Sequence, residues 1–389
     1  MLDVRKPINI KVIGSINDVK ACEWDSCAGL GQPFCKHGFL SSLEDSGSVS
    51  MESGWLPKHL IIRDKEGTLI ACSPLYLKNH SYGEYVFDWG WADAFHRAGG
   101  NYYPKLQCAI PFTPVTGNRL LIRKDLPNSI QKDLADALAE AIIELGKQLN
   151  VSSAHITFPA RDEWELFGRK GMLLRIGQQF HWKNRNYIDF DNFLGDLASR
   201  KRKSIRKERK SVKNKDLNFR WLRSKHISEK IWDHFFNFYL NTIDKKWGQN
   251  YLNREFFSLL SERLGDSIVL FIAENSGGPI AGALNFIGAN TLYGRNWGCS
   301  SDYKFLHFEL CYYQAIEYAI QYKLKWVEAG AQGPHKIQRG YLPRTTYSAH
   351  WIADPSFQNA IMHFLEKERV NVEQEIQFLK DFSPFRKID

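Results

Sequence analysis

Residues 330–341 read GAQGPHKIQRGY, and few stretches of the chain hold so many groups able to do chemistry. His335 titrates near neutrality and can relay a proton. Lys336 and Arg339 can hold a phosphate or carboxylate, arginine through two parallel donors. Gly330 and Gly333 let backbone come close to a ligand, and N–H groups exposed there can stabilise an acyl oxyanion. Gln332 and Tyr341 add contacts for a substrate at the same corner. The stretch lacks helical or strand periodicity and follows the apolar run KWVEA, so it reads as a turn at the tip of a buried strand. Its plain alternative is a glycine-rich strand exit whose cations are only solvated. The chemistry this combination suits is proton relay and stabilisation of a developing oxyanion beside a bound anionic group.

Other strings could complete such a site. In GRNWGC, Arg295 and Trp297 stand two apart on a strand and are expected on one face, where a cation beside an indole suits base stacking or anion clamping. Glu309 in LHFEL is either a catalytic base for the amine or a first-turn acid complementing a helix dipole. In GEYVFDWGWADAFHRAGGNYYPKL, Glu84, Asp88 and Lys105 are interleaved with aromatic residues. That pattern fits an aromatic-lined cleft with a few convergent polar groups, or a core. The strand QFHWKN places His181 and Trp182 on opposite faces, so at most one of them lines a cleft.

These residues need elements to position them. HLIIRDKEGTLIACSPLYLK alternates on both arms of a hairpin around Asp64–Gly67, and IQKDLADALAEAIIELGKQLN carries apolar residues at helical spacing. SSAHITF and RIGQQFHWKN read as strands. The segment 268–299 supplies three antiparallel strands, LHFELCYYQAIEYAIQYKL an amphipathic helix, and KWVEAGA a strand. The order hairpin, helix, strand, helix, strand occurs in both halves, which points to a duplication, with domains expected at 1–188 and 189–389. The seven cysteines form no CxxC pair, which argues for reduced thiols in the cytoplasm and against a metal site or disulfide framework. No run of eighteen apolar residues offers a membrane span.

The strings GRNWGCSSDYKFLHFELCYYQAIEYAI and EAGAQGPHKIQRGYLPRTTYSAHWI resemble the FemAB-like family of peptidoglycan biosynthesis or recognition proteins. So do HSYGEYVFDWGWADAFHRAGGNYYPKL, PFTPVTGNRLL and QFHWKN, and the likeness spans nearly the whole chain. One departure is Pro334, where the family often has an acid before the histidine. The resemblance implies an α+β fold of tandem GNAT-like domains, each a mixed, mainly antiparallel sheet flanked by helices. It implies transfer of an acyl or aminoacyl group to an amine, with aminoacyl-tRNA as donor and a cell-wall precursor as acceptor. Two alternatives stand beside it: a non-catalytic recognition protein for such a precursor or for RNA, and an N-acetyltransferase using acyl-CoA. The second is disfavoured because SSDYKFLHFEL, before the helix that follows the hairpin, has no glycine turn to cradle a pyrophosphate.

One segment makes the chain basic. The net charge is +9, and residues 200–215 hold ten Lys/Arg against the single Glu208, an excess equal to that of the whole chain. A helix expected over 196–215 leaves Leu197, Ile205 and Val212 as a narrow apolar stripe. Arg200, Lys201, Arg202, Lys203, Arg206, Lys207, Arg209 and Lys210 are therefore candidates for a polyanion contact, with tRNA ahead of an anionic membrane surface. The alternative is a solvated basic face.

Overall fold

Leu134, Leu138 and Ile142 recur at helical spacing, and the chain forms the expected helix around them. The computed structural model describes residues 8–244, 250–301, 303–330 and 333–386. In chain order its elements are β1 (Ile10–Ile13), α1 (Ala21–Ala28), α2 (His37–Asp45), β2 (Trp55–Pro57), β3 (His59–Arg63), β4 (Leu69–Ser73) and β5 (Leu75–Lys78). There follow α3 (Trp89–Arg97), β6 (Lys105–Cys108), β7 (Leu121–Ile122), α4 (Asn128–Gln148), β8 (Ser153–Thr157), α5 (Arg161–Arg169) and β9 (Leu173–Lys183). The second half holds α6 (Phe190–Asp196), α7 (Ser199–Lys213), β10 (Asn218–Arg223), α8 (Glu229–Asp244), α9 (Arg254–Leu264), β11 (Ile268–Asn275), β12 (Gly278–Ile287) and β13 (Thr291–Cys299). It closes with α10 (Leu306–Phe308), a π-helical stretch (Glu309–Tyr313), α11 (Gln314–Gln321), β14 (Trp326–Glu328), a 3-10 helix (Pro334–Arg339), β15 (Tyr341–Ile352) and α12 (Pro355–Asp381).

The chain makes two compact units, residues 1–177 with 345–374 and residues 178–344 with 375–389. The division expected at 188/189 says nothing of the return of residues 345–374 to the first unit. In unit 1, β2, β5, β6, β8 and the unit 1 part of β15 lie side by side, and β6–β8 is the parallel pair among antiparallel ones. A second sheet of this unit runs β1-β3-β4-β7. In unit 2 the order is β10-β11-β12-β13-β14-β9, with β13–β14 parallel and the rest antiparallel. Each unit thus joins its parallel strands through a helix, α4 in one and α11 in the other. The last strand of each sheet is exchanged: residues 181–183 of β9, which starts in unit 1, pair with β14, and residues 348–352 of β15, which starts in unit 2, pair with β8.

The strand alternation gives the two faces of unit 1 different characters. Leu106, Cys108, Ala154, Ile156 and Ala349 pack with α4. The opposite face carries Lys78, Lys105, Gln107, Ser153, His155, Thr157, Ser348 and His350, all buried. In unit 2 the core gathers Trp182, Phe193, Phe271, Leu292, Tyr313, Val327 and Tyr341.

Gly298 lets α8 approach β13, because a Cβ there would lie 2.0 Å from the Phe238 carbonyl oxygen, a backbone atom that cannot swing aside. Gly298→Ala is therefore expected to destabilise the protein by about 1–3 kcal/mol, as over-packing does. Gly195→Ala, which meets nothing within 4 Å, should change stability little. Thermal unfolding of both variants checks this, and equal midpoints would remove the packing argument.

Candidate functional site

The tip of β14 in unit 2 is where the geometry gathers chemistry. β13 and β14 pair only over Thr291–Tyr293 and Trp326–Glu328. Beyond that ladder the partner strand reaches Gly294, and a β-bulge inserts Arg295 between Gly294 and Asn296. Glu328 is the last paired residue of β14, and across the antiparallel ladder it faces His181. The two side chains are 14% and 11% exposed, with His181 Nδ1 3.8 Å from Glu328 Oε1. Glu328 Oε2 is buried and accepts no hydrogen bond among the described residues. Burial pushes the Glu328 carboxyl up to about 8 against the opposing pull of Arg344 and Arg295. Burial, with Arg344 and Lys336 nearby, holds His181 down at about 3, so its ring is neutral. The Arg344 guanidinium lies over the Trp326 ring, 4.7 Å from its centre. A carboxyl group poised near neutrality with a free oxygen can take a proton from an attacking amine.

The adjoining corner is built more tightly than its sequence implies. Gly330 (φ 77) and Gly333 (φ 112) take backbone conformations reserved for glycine, and 334–339 winds into a 3-10 helix ending at Gly340 (φ 88). Lys336 is buried and donates to the Gly330 carbonyl at 2.9 Å. Burial lowers its ammonium to about 8. His335 is exposed and meets the Tyr312 hydroxyl at 2.9 Å. Burial of the ring, then Lys336 and Arg339, lowers its pKa.

Arg339, expected to bind substrate, is instead the clamp of this corner. It donates to Tyr313 Oη (3.0 Å), to Glu208 (3.0 Å) and to the His335 carbonyl (2.9 Å), and stacks 3.5 Å from the Phe308 ring centre. Tyr341, also expected at the substrate, is fully buried in the unit 2 core. Gln332 lies outside the described residues. The bulge at Arg295 interrupts the alternation behind the same-face expectation for Arg295 and Trp297. Trp297 packs edge-on to His307, 5.2 Å between ring centres.

Glu309, weighed as a catalytic base, is 2% exposed and held by both donors of Arg209 (2.8 and 3.1 Å) and by Gln314 (2.8 Å). Arg209 binds Glu317 as well (2.7 and 3.0 Å), so both residues are engaged in an internal ion-pair network. On α7, Lys201 contacts Gln338 and Arg206 reaches Asp191 at 3.0 Å. Arg200, Lys203, Lys207 and Lys210 are exposed with no ion pair among the described residues, and their spacing puts them on one stripe. Arg202 lies beside that stripe, half-buried.

Glu84, Asp88 and Lys105 belong to unit 1. Lys105 Nζ donates to Ser81 Oγ (2.8 Å), Glu84 Oε2 (2.8 Å) and Asp88 Oδ2 (2.5 Å). Asp88 also accepts from Tyr102 (2.7 Å), which meets His155 at 3.2 Å, and His155 meets His350 at 2.7 Å. Burial raises Glu84 to about 7 and lowers Lys78 to about 7. Burial works against the charge of Asp88 too, but Lys105 and His155 outweigh it and hold Asp88 at about 2. At the register of Glu328 and His181, unit 1 has Ile156 and Ala349. The duplicated scaffold thus carries a titratable pair at its strand tip in unit 2 alone.

The FemAB-like family model, described as peptidoglycan biosynthesis/recognition, matches residues 15–387. The chain belongs to the FemAB-like family. Solved structures share its fold: FemX superposes with a TM-score of 0.55 at 11% identity, covering 88% of this chain and 98% of FemX. The C-terminal domain of a putative lysylphosphatidylglycerol synthetase from Agrobacterium fabrum gives 0.54 at 8% identity, covering 88% and 94%. A protein of unknown function from Bacteroides thetaiotaomicron gives 0.50 at 11% identity, covering 88% and 99%. No curated protein sequence matches the chain. The expected mixed α+β, antiparallel-rich architecture is the one this FemAB-like protein has.

Sequence reasoning passed over Glu328, which KWVEA presented as the end of an apolar strand. The signal available was an acid at the last position of a strand entering glycine-rich chain. Among the described residues no group of His, Cys, Asp or Glu is placed to hold a metal, and no helix is long and apolar enough to cross a membrane.

Removing the Arg209 guanidinium would strand Glu309 as a buried, uncompensated charge. Arg209→Ala is expected to destabilise by about 3–5 kcal/mol, read from urea unfolding. A loss comparable to that of an exposed α7 lysine variant would refute the buried clamp.

Proposed function

We propose that this FemAB-like protein transfers an acyl or aminoacyl group to an amine at the tip of β14 in unit 2. The observation that carries the reading is Glu328, a largely buried carboxyl with one oxygen unpartnered among the described residues and its pKa raised to about 8. Glu328 takes a proton from the acceptor amine as its nitrogen attacks the activated carbonyl carbon. The carbon–heteroatom bond to the donor's leaving group then breaks. Arg344, Arg295 and neutral His181 lie beside the carboxyl, and the two cations favour a donor bearing negative charge. His335 with Tyr312 offers a proton path at the neighbouring corner.

Family membership supports a donor and acceptor of the cell-wall kind. In this reading the donor is an aminoacyl-tRNA and the acceptor an amine of a cell-wall precursor. The stripe Arg200, Lys203, Lys207 and Lys210 then engages the RNA backbone.

Two measurements test this. Glu328→Gln is expected to lower turnover of labelled aminoacyl-tRNA with an amine acceptor by roughly 10²–10⁴-fold. Because the base works deprotonated, wild-type kcat/KM should rise with pH and level off above about 8. Full activity of the variant would remove Glu328 as the base, and binding without turnover across aminoacyl-tRNA and acyl-CoA donors would move the protein to the recognition reading. Separately, tRNA affinity should fall with salt, and neutralising Lys203, Lys207 and Lys210 to Gln should flatten the log–log slope by about 2–3. A slope unchanged by the triple variant would place the RNA elsewhere or nowhere.

A further inference from the structure

Unit 1 holds a second polar site that the transfer chemistry does not use. Eight buried side-chain polar atoms among the described residues lack a hydrogen-bond partner, and four belong to this unit's polar face and its cover: Trp55 Nε1, Glu84 Oε1, Asp88 Oδ1 and Gln107 Oε1. Their side chains are 1%, 4%, 2% and 0% exposed. An unmade hydrogen bond at such depth is costly, about 1–3 kcal/mol for each group. Three of the four atoms are acceptors, and Lys78 Nζ pairs with Glu84 Oε1 only at 3.9 Å, beyond hydrogen-bond reach. Lys105 uses all three of its N–H bonds on Ser81, Glu84 and Asp88. Lys78 donates to the Tyr82 carbonyl and meets His80, both at 3.1 Å, with its ammonium 3.7 Å from the Trp55 ring centre.

A ligand that satisfies this site must donate hydrogen bonds and accept few. The unpaired oxygens of Glu84, Asp88 and Gln107 are acceptors that an anion cannot satisfy, and the aromatic faces of Trp55, Tyr102 and Tyr103 already accommodate cations. An ammonium group has three donors and no acceptor. We propose that unit 1 binds the primary ammonium group of a ligand between Glu84 Oε1 and Asp88 Oδ1, beneath the segment 79–90. That segment brings both carboxylates inward and shows Tyr82, Phe87 and Trp89 to solvent on its other side. It turns through Gly83 (φ 81) and Tyr85 (φ 60). An amine held between two carboxylates stays protonated and cannot be a nucleophile. The site therefore recognises a ligand and does not activate it.

Amino sugars, amino acids and alkyl diamines all present this group, so the probes are D-glucosamine, L-alaninamide and 1,5-diaminopentane. Each is titrated calorimetrically into the full chain beside its N-acetylated counterpart. At least one amine should bind saturably with one site per chain, and its acetylated form should bind ten-fold or more weakly. Glu84→Gln and Asp88→Asn should each weaken that amine ten-fold or more, whereas Glu328→Gln should leave it unchanged. The last arm separates this site from the transfer site, so either reading can fail alone. Failure of all three amines to bind the wild-type chain overturns the proposal and leaves the orphaned atoms to buried water. So does equal binding of an acetylated form, and these wild-type arms decide even if a variant does not fold.

Discussion

Parallel pairing between Thr291–Tyr293 and Trp326–Glu328 ends after three residues, and the arrangement of unit 2 follows from where it ends. Past that point β14 has no ladder partner from β13 among the described residues, and its backbone runs close by Gly294 into Ala329 and Gly330, whose carbonyl accepts from Lys336. A side chain at the last paired position is then deep enough to lose most of its hydration and still near enough to the surface to meet a substrate. The bulge at Arg295 and the glycine conformations at 330 and 333 keep that opening free of regular structure. The clamp of Arg339 on Glu208, Tyr313 and Phe308 fixes the turn that follows.

The two units show how one scaffold is specialised by small changes in side chains. At equivalent positions the strand tip holds Glu328 and His181 in unit 2 and Ile156 and Ala349 in unit 1. One residue back the contrast is inverted: unit 2 has Val327 beside Trp182 in an apolar core, and unit 1 has His155 against His350 in a polar network. Alternation along the strand means that the polar pair of each unit points to the opposite face from that of the other. The same frame occurs in both units, and each carries its polar pair on a different side.

Periodicity made most of the elements legible. The helix over Asn128–Gln148, the hairpin of β3 and β4 and the three strands over Ile268–Cys299 follow from apolar spacing and glycine turns. The polar constellation was readable as a set of candidates but not as a site, because local sequence does not say which cations are internal ties. Arg339, Arg209 and Glu309 look like reactive groups in the string, yet long-range partners a hundred or more residues away absorb them, as Glu208 does for Arg339. Glu328 was hidden for the opposite reason. Its apolar neighbours advertise a core strand, and only the sheet register reveals that it closes the ladder.

The exchange of β9 and β15 has a meaning beyond fold description. A single repeat of this pattern is one strand short of a finished sheet, and could supply it only by borrowing from another copy of itself. The present chain thus encloses in one polypeptide what would otherwise be a swapped homodimer. Separating the halves at the midpoint would leave each fragment holding the piece that the other needs.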